Sequence, residues 1–281
     1  MNNRRARNAM IFKDTEELYR TDKVLKAAVA NSKKKQQLIL EGDTVDYELP
    51  VARAGKVVVS GKRTLEASEA YAKQGKRVCV LNFASATNPG GGVVYGSSAQ
   101  EEAICRCSTL YPCLDMREMW SEFYIPHREA NNPLYNDDCI FTPAVKVFKS
   151  DTSEPELLPE EGWWDVDVIT CAAPNLRHAP SNHMNPNAGS KKAEISEGEL
   201  KKLHEKRIER IFEIAIANKA DVLILGAFGC GAFRNPPEVV AQVFAEFTKK
   251  YKNCFDAIEY AVYHREYETE NYEAFKKALD K

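Results

Sequence analysis

Two adjacent carboxylic acids, Glu101 and Glu102, follow Gln100, and seven residues separate Gln100 from a triple glycine, Gly90-Gly91-Gly92. A carboxyl group can donate a proton at one step of a reaction and accept one at the next. Glycines leave backbone N–H groups uncovered, and a helix N-terminus adds more of them with a favourable dipole. Together these groups suit acid–base chemistry beside a bound anion, and a diphosphate is the natural guest. The plain alternative is a tight turn and an ordinary capped helix whose glutamates face solvent.

The elements that must position these groups are readable around them. Val78 to Leu81 is an apolar run that reads as a buried strand leading through Asn82 toward Asn88-Pro89 and the glycines. Ser97 with Gln100, and Ser98 with Glu101, have capping-box spacing, which predicts a helix start after Ser98. That helix is expected to reach about Tyr111, where Pro112 would stop it. Neighbouring residues on a helix point about 100° apart, so Glu101 and Glu102 should do different jobs. The helix dipole favours an ionised Glu102, whereas acid action needs a raised pKa, so burial or a nearby negative charge must outweigh the dipole.

A second stretch repeats this logic. Leu223-Ile224-Leu225 ends in Gly226, and Gly229-Cys230-Gly231-Ala232-Phe233-Arg234-Asn235 runs on to a helix begun by Pro236-Pro237. Ligands of open α/β sheets lie beyond the C-terminal ends of the strands. Two glycine loops from two such ends could close over one anion, although two tight strand-to-helix connections would also need glycine. No histidine is placed by sequence to activate Cys230 as a nucleophile.

The spacing Gly-Gly-Gly, seven residues, Gln-Glu-Glu resembles the signature of poly(ADP-ribose) glycohydrolases. Asn88-Pro89, the stretch Cys105 to Leu114, and Gly-Cys-Gly-Ala-Phe-Arg-Asn-Pro at 229–236 are similar to the smaller microbial type of that family. The resemblance runs from about the first strand to the C-terminus and is loose before about residue 50. It implies an α/β fold, a three-layer α/β/α macrodomain with a mixed sheet. Residues 1–50 would form an N-terminal helical extension packed on the core, and 51–281 a macrodomain-like catalytic domain.

By the same resemblance Glu102 is the general acid/base, Glu101 orients ribose hydroxyls, and Gln100 supports the loop. Asn88, Gly90, Gly91 and Gly92 would hold the distal ribose and diphosphate. Gly229, Cys230, Gly231, Ala232 and Phe233 would wrap the diphosphate, with Phe233 packing on the ligand; relatives often carry a larger residue at the position of Ala232. Arg234 is expected to pair with a surface acid. The implied reaction is exo-acting cleavage of ribose–ribose bonds, with poly(ADP-ribose) and ADP-ribosylated proteins as partners, ADP-ribose as product, and no cofactor or metal.

Other functions are weighed against this one. A non-catalytic ADP-ribose reader would need no Gln-Glu-Glu. An ADP-ribosyl hydrolase of another linkage stays open. A dinucleotide oxidoreductase is excluded by the lack of a G-x-G-x-x-G after a strand with an acid about 20 residues on.

Composition leaves any anionic ligand to be held locally, by backbone amides and a few side chains. The 281 residues are 44% hydrophobic and 28% charged, with net charge −2, so no global basic field draws in nucleic acid or an anionic polymer. The basic N-terminus lacks the apolar stretch of a secretory signal, and no apolar run is long enough to span a membrane. Eight scattered cysteines without a CxxC pair read as reduced thiols. A cytoplasmic monomer is expected, or a nuclear one in a eukaryote.

Elsewhere the chain alternates. Asp14 with Glu17 has capping-box spacing, and Lys33-Lys34-Lys35 reads as a solvated helix end. Strands are expected at Val57 to Val59, Cys139 to Phe148, Asp165 to Cys171, Asp221 to Leu225 and Phe255 to Tyr263. Helices should follow Thr64, Ser196 (paired with Glu199) and Pro236, and a last one should carry Tyr272, Phe275 and Leu279. Residues 113–137 read as irregular. Residues 172–195, with His178 and His183, read as a long polar loop, and metal binding by its histidines is not favoured.

Overall fold

The computed structural model describes residues 2–280. Two helices come first, α1 (Asn2–Thr21) and α2 (Lys23–Lys35), then strands β1 (Gln37–Ile39) and β2 (Lys56–Ser60), α3 (Thr64–Ala72) and β3 (Val78–Phe83). The next helices are α4 (Gln100–Cys107), α5 (Tyr111–Leu114), α6 (Arg117–Met119) and α7 (Ile125–Ala130). The chain closes with β4 (Cys139–Val147), β5 (Trp164–Cys171), α8 (Glu197–Ala217), β6 (Val222–Leu225), α9 (Pro237–Tyr251), β7 (Ala257–Ala261) and α10 (Glu270–Leu279).

The strands form one seven-stranded mixed sheet in the order β1-β4-β5-β3-β6-β7-β2. β5, β3, β6, β7 and β2 run parallel; β4 is antiparallel to β5, and β1 to β4. Period-two alternation makes three layers. Cys79, Leu81, Leu223 and Leu225 face one core with Ile208, Ile211 and Phe212 of α8, Val243 and Phe244 of α9, and Phe275 of α10. Their neighbours Val78, Val80, Val222 and Ile224 face the other, with Leu65 of α3, Ile104 of α4 and Phe12 of α1. Strands covered on both sides have no polar face, hence the unbroken apolar runs.

Several expectations need correction. α4 starts at Gln100 with Ala99 as N-cap and no side-chain cap, so neither serine closes a capping box. α4 also ends early: Ser108 turns extended and bridges to Val147, and Pro112 lies in the first turn of a new short helix. Residues 113–137 are mostly helical, through the end of α5, α6, a π-helix at Trp120–Tyr124, and α7. Asp14 lies inside α1, and its carboxylate accepts from the buried Lys149 Nζ at 2.6 Å; the cap that separates α1 from α2 is Asp22, which accepts from the Val24 and Leu25 N–H groups at 2.8 and 2.9 Å. β1 is an edge strand that periodicity did not reveal, being three residues long. The remaining strands and helices fall where the pattern puts them, including the Ser196–Glu199 capping box of α8.

Candidate active site

β5, β3 and β6 are adjacent and parallel, so the loops leaving their C-terminal ends must meet on one edge of the sheet. These are residues 172–195 after β5, the first glycine loop after β3, and the second after β6. Asn235 ties two of them: its Nδ2 donates to the Pro174 carbonyl at 2.8 Å and the Gly229 carbonyl at 3.0 Å. His204 of α8 lies 2.9 Å from Asn235 Oδ1.

The carboxylates are held under the first loop. Glu101 accepts from the Ser85 N–H at 2.8 Å and from Asn82 Nδ2 at 3.4 Å. Glu102 Oε1 accepts from the Gly92 N–H at 2.9 Å, while its buried Oε2 has no partner. Although the two side chains leave α4 in different directions, both reach Gly91. A Cβ built there would lie 2.6 Å from Glu102 Oε1 and 3.0 Å from Glu101 Oε2. Gly91 also has φ +56°, a conformation that glycine tolerates best.

Glu101 and Glu102 are only 3% and 7% exposed, and burial pushes both carboxyls above the ordinary range. The charge of Glu102 adds to the rise at Glu101, and the Gly92 N–H opposes it at Glu102. Burial thus outweighs the amide donors at the helix start.

Gln100 supports the end of β3 more than the glycines. Its Oε1 accepts from the Phe83 N–H at 2.8 Å, and its Nε2 donates to the Leu81 carbonyl at 2.7 Å and to Thr64 Oγ1 at 3.0 Å. Beside it opens a cavity of about 380 Å³, lined among others by Phe83, Gln100, Asp151, Gly229, Gly231 and Phe233. The glutamate carboxyls lie outside its lining, beyond Gln100.

The second loop is placed as its glycines suggested. Gly229 has φ +77°, and a Cβ there would strike Ala173 and come 2.6 Å from Asn235 Nδ2. Gly231 has nothing within 4 Å of a built Cβ, and Ala232 beside it is exposed. Cys230 turns its side chain into the core, where burial drives the thiol pKa up, so only its backbone can face a ligand. Arg234 is exposed and forms no ion pair among the described residues, contrary to expectation.

Residues 172–195 touch both glycine loops. The Leu176 N–H donates to the Phe233 carbonyl at 2.9 Å, and the Arg177 guanidinium carbon lies 5.9 Å from the Phe233 ring. Further along, the His183 and Tyr95 rings meet edge to face at 4.8 Å, and Met184 Cε lies 3.5 Å from a Cβ built on Gly92.

A family model described as microbial-type PARG, catalytic domain, matches residues 8–150, just over half the chain. The chain belongs to the microbial-type poly(ADP-ribose) glycohydrolase family. Solved structures of that name extend the likeness over almost the whole chain. A poly(ADP-ribose) glycohydrolase from Thermomonospora curvata bound to the inhibitor ADP-HPD is 27% identical with TM-score 0.76, covering 96% of this chain and 98% of that one. One from Deinococcus radiodurans in complex with ADP-ribose is 28% identical with TM-score 0.75, covering 90% and 96%. No curated protein matches the chain by sequence.

The family model takes in most of α1, and α1 is built into the site. Gly96 packs on the Arg5 carbonyl, Asn8 Nδ2 donates to the Gly96 carbonyl at 3.1 Å, and Arg4 lines the cavity. Sequence reasoning also missed Arg128, which donates to the Thr87 carbonyl and to Asn88 Oδ1. It missed Asp151, whose Oδ2 accepts from the Leu65 N–H at 3.0 Å while its Oδ1 stays buried and unpartnered at the cavity. His204, Arg207 and Arg210 on the buried side of α8 escaped notice too, because a stripe of Leu, Ile and Phe gives no sign of polar residues between them. No helix among the described residues is long and apolar enough to cross a membrane.

Proposed function

We propose that this glycohydrolase removes ADP-ribose from the ends of poly(ADP-ribose), with Glu102 as the acid and then the base. The observation that carries this reading is the pair of buried carboxyls meeting at Gly91, one of them with a free oxygen, Glu102 Oε2. A protonated Glu102 gives its proton to the leaving ribose oxygen as the bond to the anomeric carbon breaks through an oxocarbenium-like transition state. The resulting carboxylate takes a proton from the attacking water and returns to its starting state. Glu101, held from behind by Ser85 and Asn82, orients the ribose hydroxyls. Asn88 and Gly90 to Gly92 contact the distal ribose and diphosphate, and Gly229 to Phe233 take the other side of the diphosphate.

End-directed action is supported by the 172–195 segment. It lies against both glycine loops, with His183 on Tyr95 and Met184 beside Gly92, where a chain continuing past the distal ribose would need space. ADP-ribosylated proteins are the expected partners, and a cytoplasmic setting agrees with eight free thiols.

The test compares Glu102→Gln with Glu101→Gln on defined-length polymer. Glu102→Gln cannot carry the proton, and turnover should drop by about 10²–10⁴-fold with ADP-ribose binding retained. Glu101→Gln should lower binding more. Free ADP-ribose should be the first product. Early release of oligomers would overturn end-directed action, and near-normal turnover of Glu102→Gln would overturn the acid assignment. Tight binding without any turnover by the wild type would instead make the chain a reader.

A further inference from the structure

Arg128, on α7, lies forty positions from Asn88 in sequence, yet it reaches the first glycine loop with two donors. Its Nε donates to the Thr87 carbonyl at 2.7 Å, and a terminal N–H donates to Asn88 Oδ1. The guanidinium carbon lies 4.9 Å from the centroid of the Trp120 ring, a cation–π contact. Trp120 is itself fixed by Nε1–H to Asp115 Oδ1 at 2.7 Å. Trp120 opens the π-helix at Trp120–Tyr124, a rare element that recurs near functional sites.

No carboxylate forms an ion pair with Arg128 among the described residues, and burial alone lowers its pKa. A half-buried cation without a counter-charge has a cost in solvation. What it gains is two acceptors, both on the loop that leads into the triple glycine.

That contact decides how Asn88 presents itself. An amide side chain has a donor end and an acceptor end, and the partner sets which way it points. A guanidinium only donates, so Oδ1 of Asn88 must face Arg128. Nδ2 then donates to Thr87 Oγ1 at 3.2 Å, and its second hydrogen remains as the free donor of the side chain.

The geometry points to Arg128 as a positioning residue that locks Asn88 as a hydrogen-bond donor to the distal ribose, and so sets the preference for ADP-ribose over ADP. This inference rests on the reading of Asn88 as a ribose contact given above. ADP lacks the distal ribose, so the effect of Arg128 should be confined to ligands that have one. A role confined to fold stability would weaken both ligands alike.

Calorimetry with ADP-ribose and with ADP tests this on the wild type, Arg128→Ala, Arg128→Lys, Asn88→Ala and the double variant Arg128→Ala/Asn88→Ala. Arg128→Ala should weaken ADP-ribose about tenfold or more, the scale of one well-placed hydrogen bond, and leave ADP within about twofold. Arg128→Lys, which keeps the cation and one donor direction, should fall between and guards against simple misfolding. The double variant should bind ADP-ribose like Asn88→Ala alone, because both changes remove one interaction. Equal losses for ADP and ADP-ribose, or additive losses in the double variant, would overturn the positioning role. Unchanged ADP-ribose binding by Asn88→Ala would overturn the ribose contact itself, a separate result that takes this inference with it.

Discussion

Gly91→Ala is a one-carbon change whose consequence can be worked from the structure. The new Cβ would sit 2.6 Å from Glu102 Oε1, 3.0 Å from Glu101 Oε2 and 3.3 Å from Glu102 Cδ. Contacts that short require the Glu102 carboxylate to swing aside, and it then leaves the Gly92 N–H that now holds it at 2.9 Å. The left-handed φ of +56° adds about 1–2 kcal/mol for any residue with a Cβ. Losing the hydrogen bond from the Gly92 N–H costs about 0.5–1.5 kcal/mol where it is not replaced. Displacing an acid by about 1 Å costs on the order of 10² in rate. The expected result is a fall in kcat of about a hundredfold, with a melting temperature several degrees lower. The assay is ADP-ribose release from polymer beside a thermal melt. Gly75→Ala is the control for backbone strain, since Gly75 has φ +76° but nothing within 4 Å of a built Cβ. It should lower the melting temperature and leave kcat unchanged. A folded Gly91→Ala enzyme with near-normal kcat would refute the claim that Gly91 seats the two carboxylates.

Two further outcomes concern stability and pH. Glu101 and Glu102 have folded-state pKa values raised by burial, so the folded protein binds protons that the unfolded chain releases as pH rises above the ordinary glutamate range. Their contribution is therefore favourable at acid pH and is lost as pH rises through the folded pKa; Glu101→Gln should flatten that decline and raise the melting temperature at pH 8, and an unchanged pH profile would contradict it. His204 acts with the opposite sign, because burial lowers its pKa from 6.5 to about 4: its contribution is present above pH 6.5 and lost toward pH 4, and His204→Gln should remove an acid sensitivity of about 3 kcal/mol in urea titrations.

What could be read in the sequence follows from how local each signal is. A triple glycine, an apolar strand before it and two acids after it all lie within residues 78–102, so the first loop announced itself. The second loop did so for the same reason, and Gly229 has the positive φ and close neighbours that exclude a side chain. Capping was misread because the acceptor side chain went elsewhere: Gln100 turns toward β3, its Oε1 accepting from the Phe83 N–H, instead of back to its own helix end, and the Ser97 side chain lies against Gly92. Arg128, Asp151 and His204 act on residues 31 to 86 positions away, and no periodicity encodes such a pairing.

Packing between distant parts of the chain resolves a conflict that is already visible in the sequence. Two acids at a helix N-terminus should be ionised and solvated, because the dipole and the exposed amides favour the charged form. Catalysis by a proton donor needs the reverse. The fold resolves this by closing the site from three directions: α1 packs on Gly96, residues 172–195 lie along the glycines, and the loop itself caps the carboxylates. Water is thereby removed from Glu101 and Glu102 while a few donors, Ser85, Asn82 and Gly92 among them, reach the two carboxyls. Too many donors would hold both acids ionised, and too few would leave buried charge uncompensated when Glu102 gives up its proton. On the proposed reading, the unpartnered Oε2 of Glu102 is what remains of that balance, a buried acceptor left for the leaving oxygen and then for water.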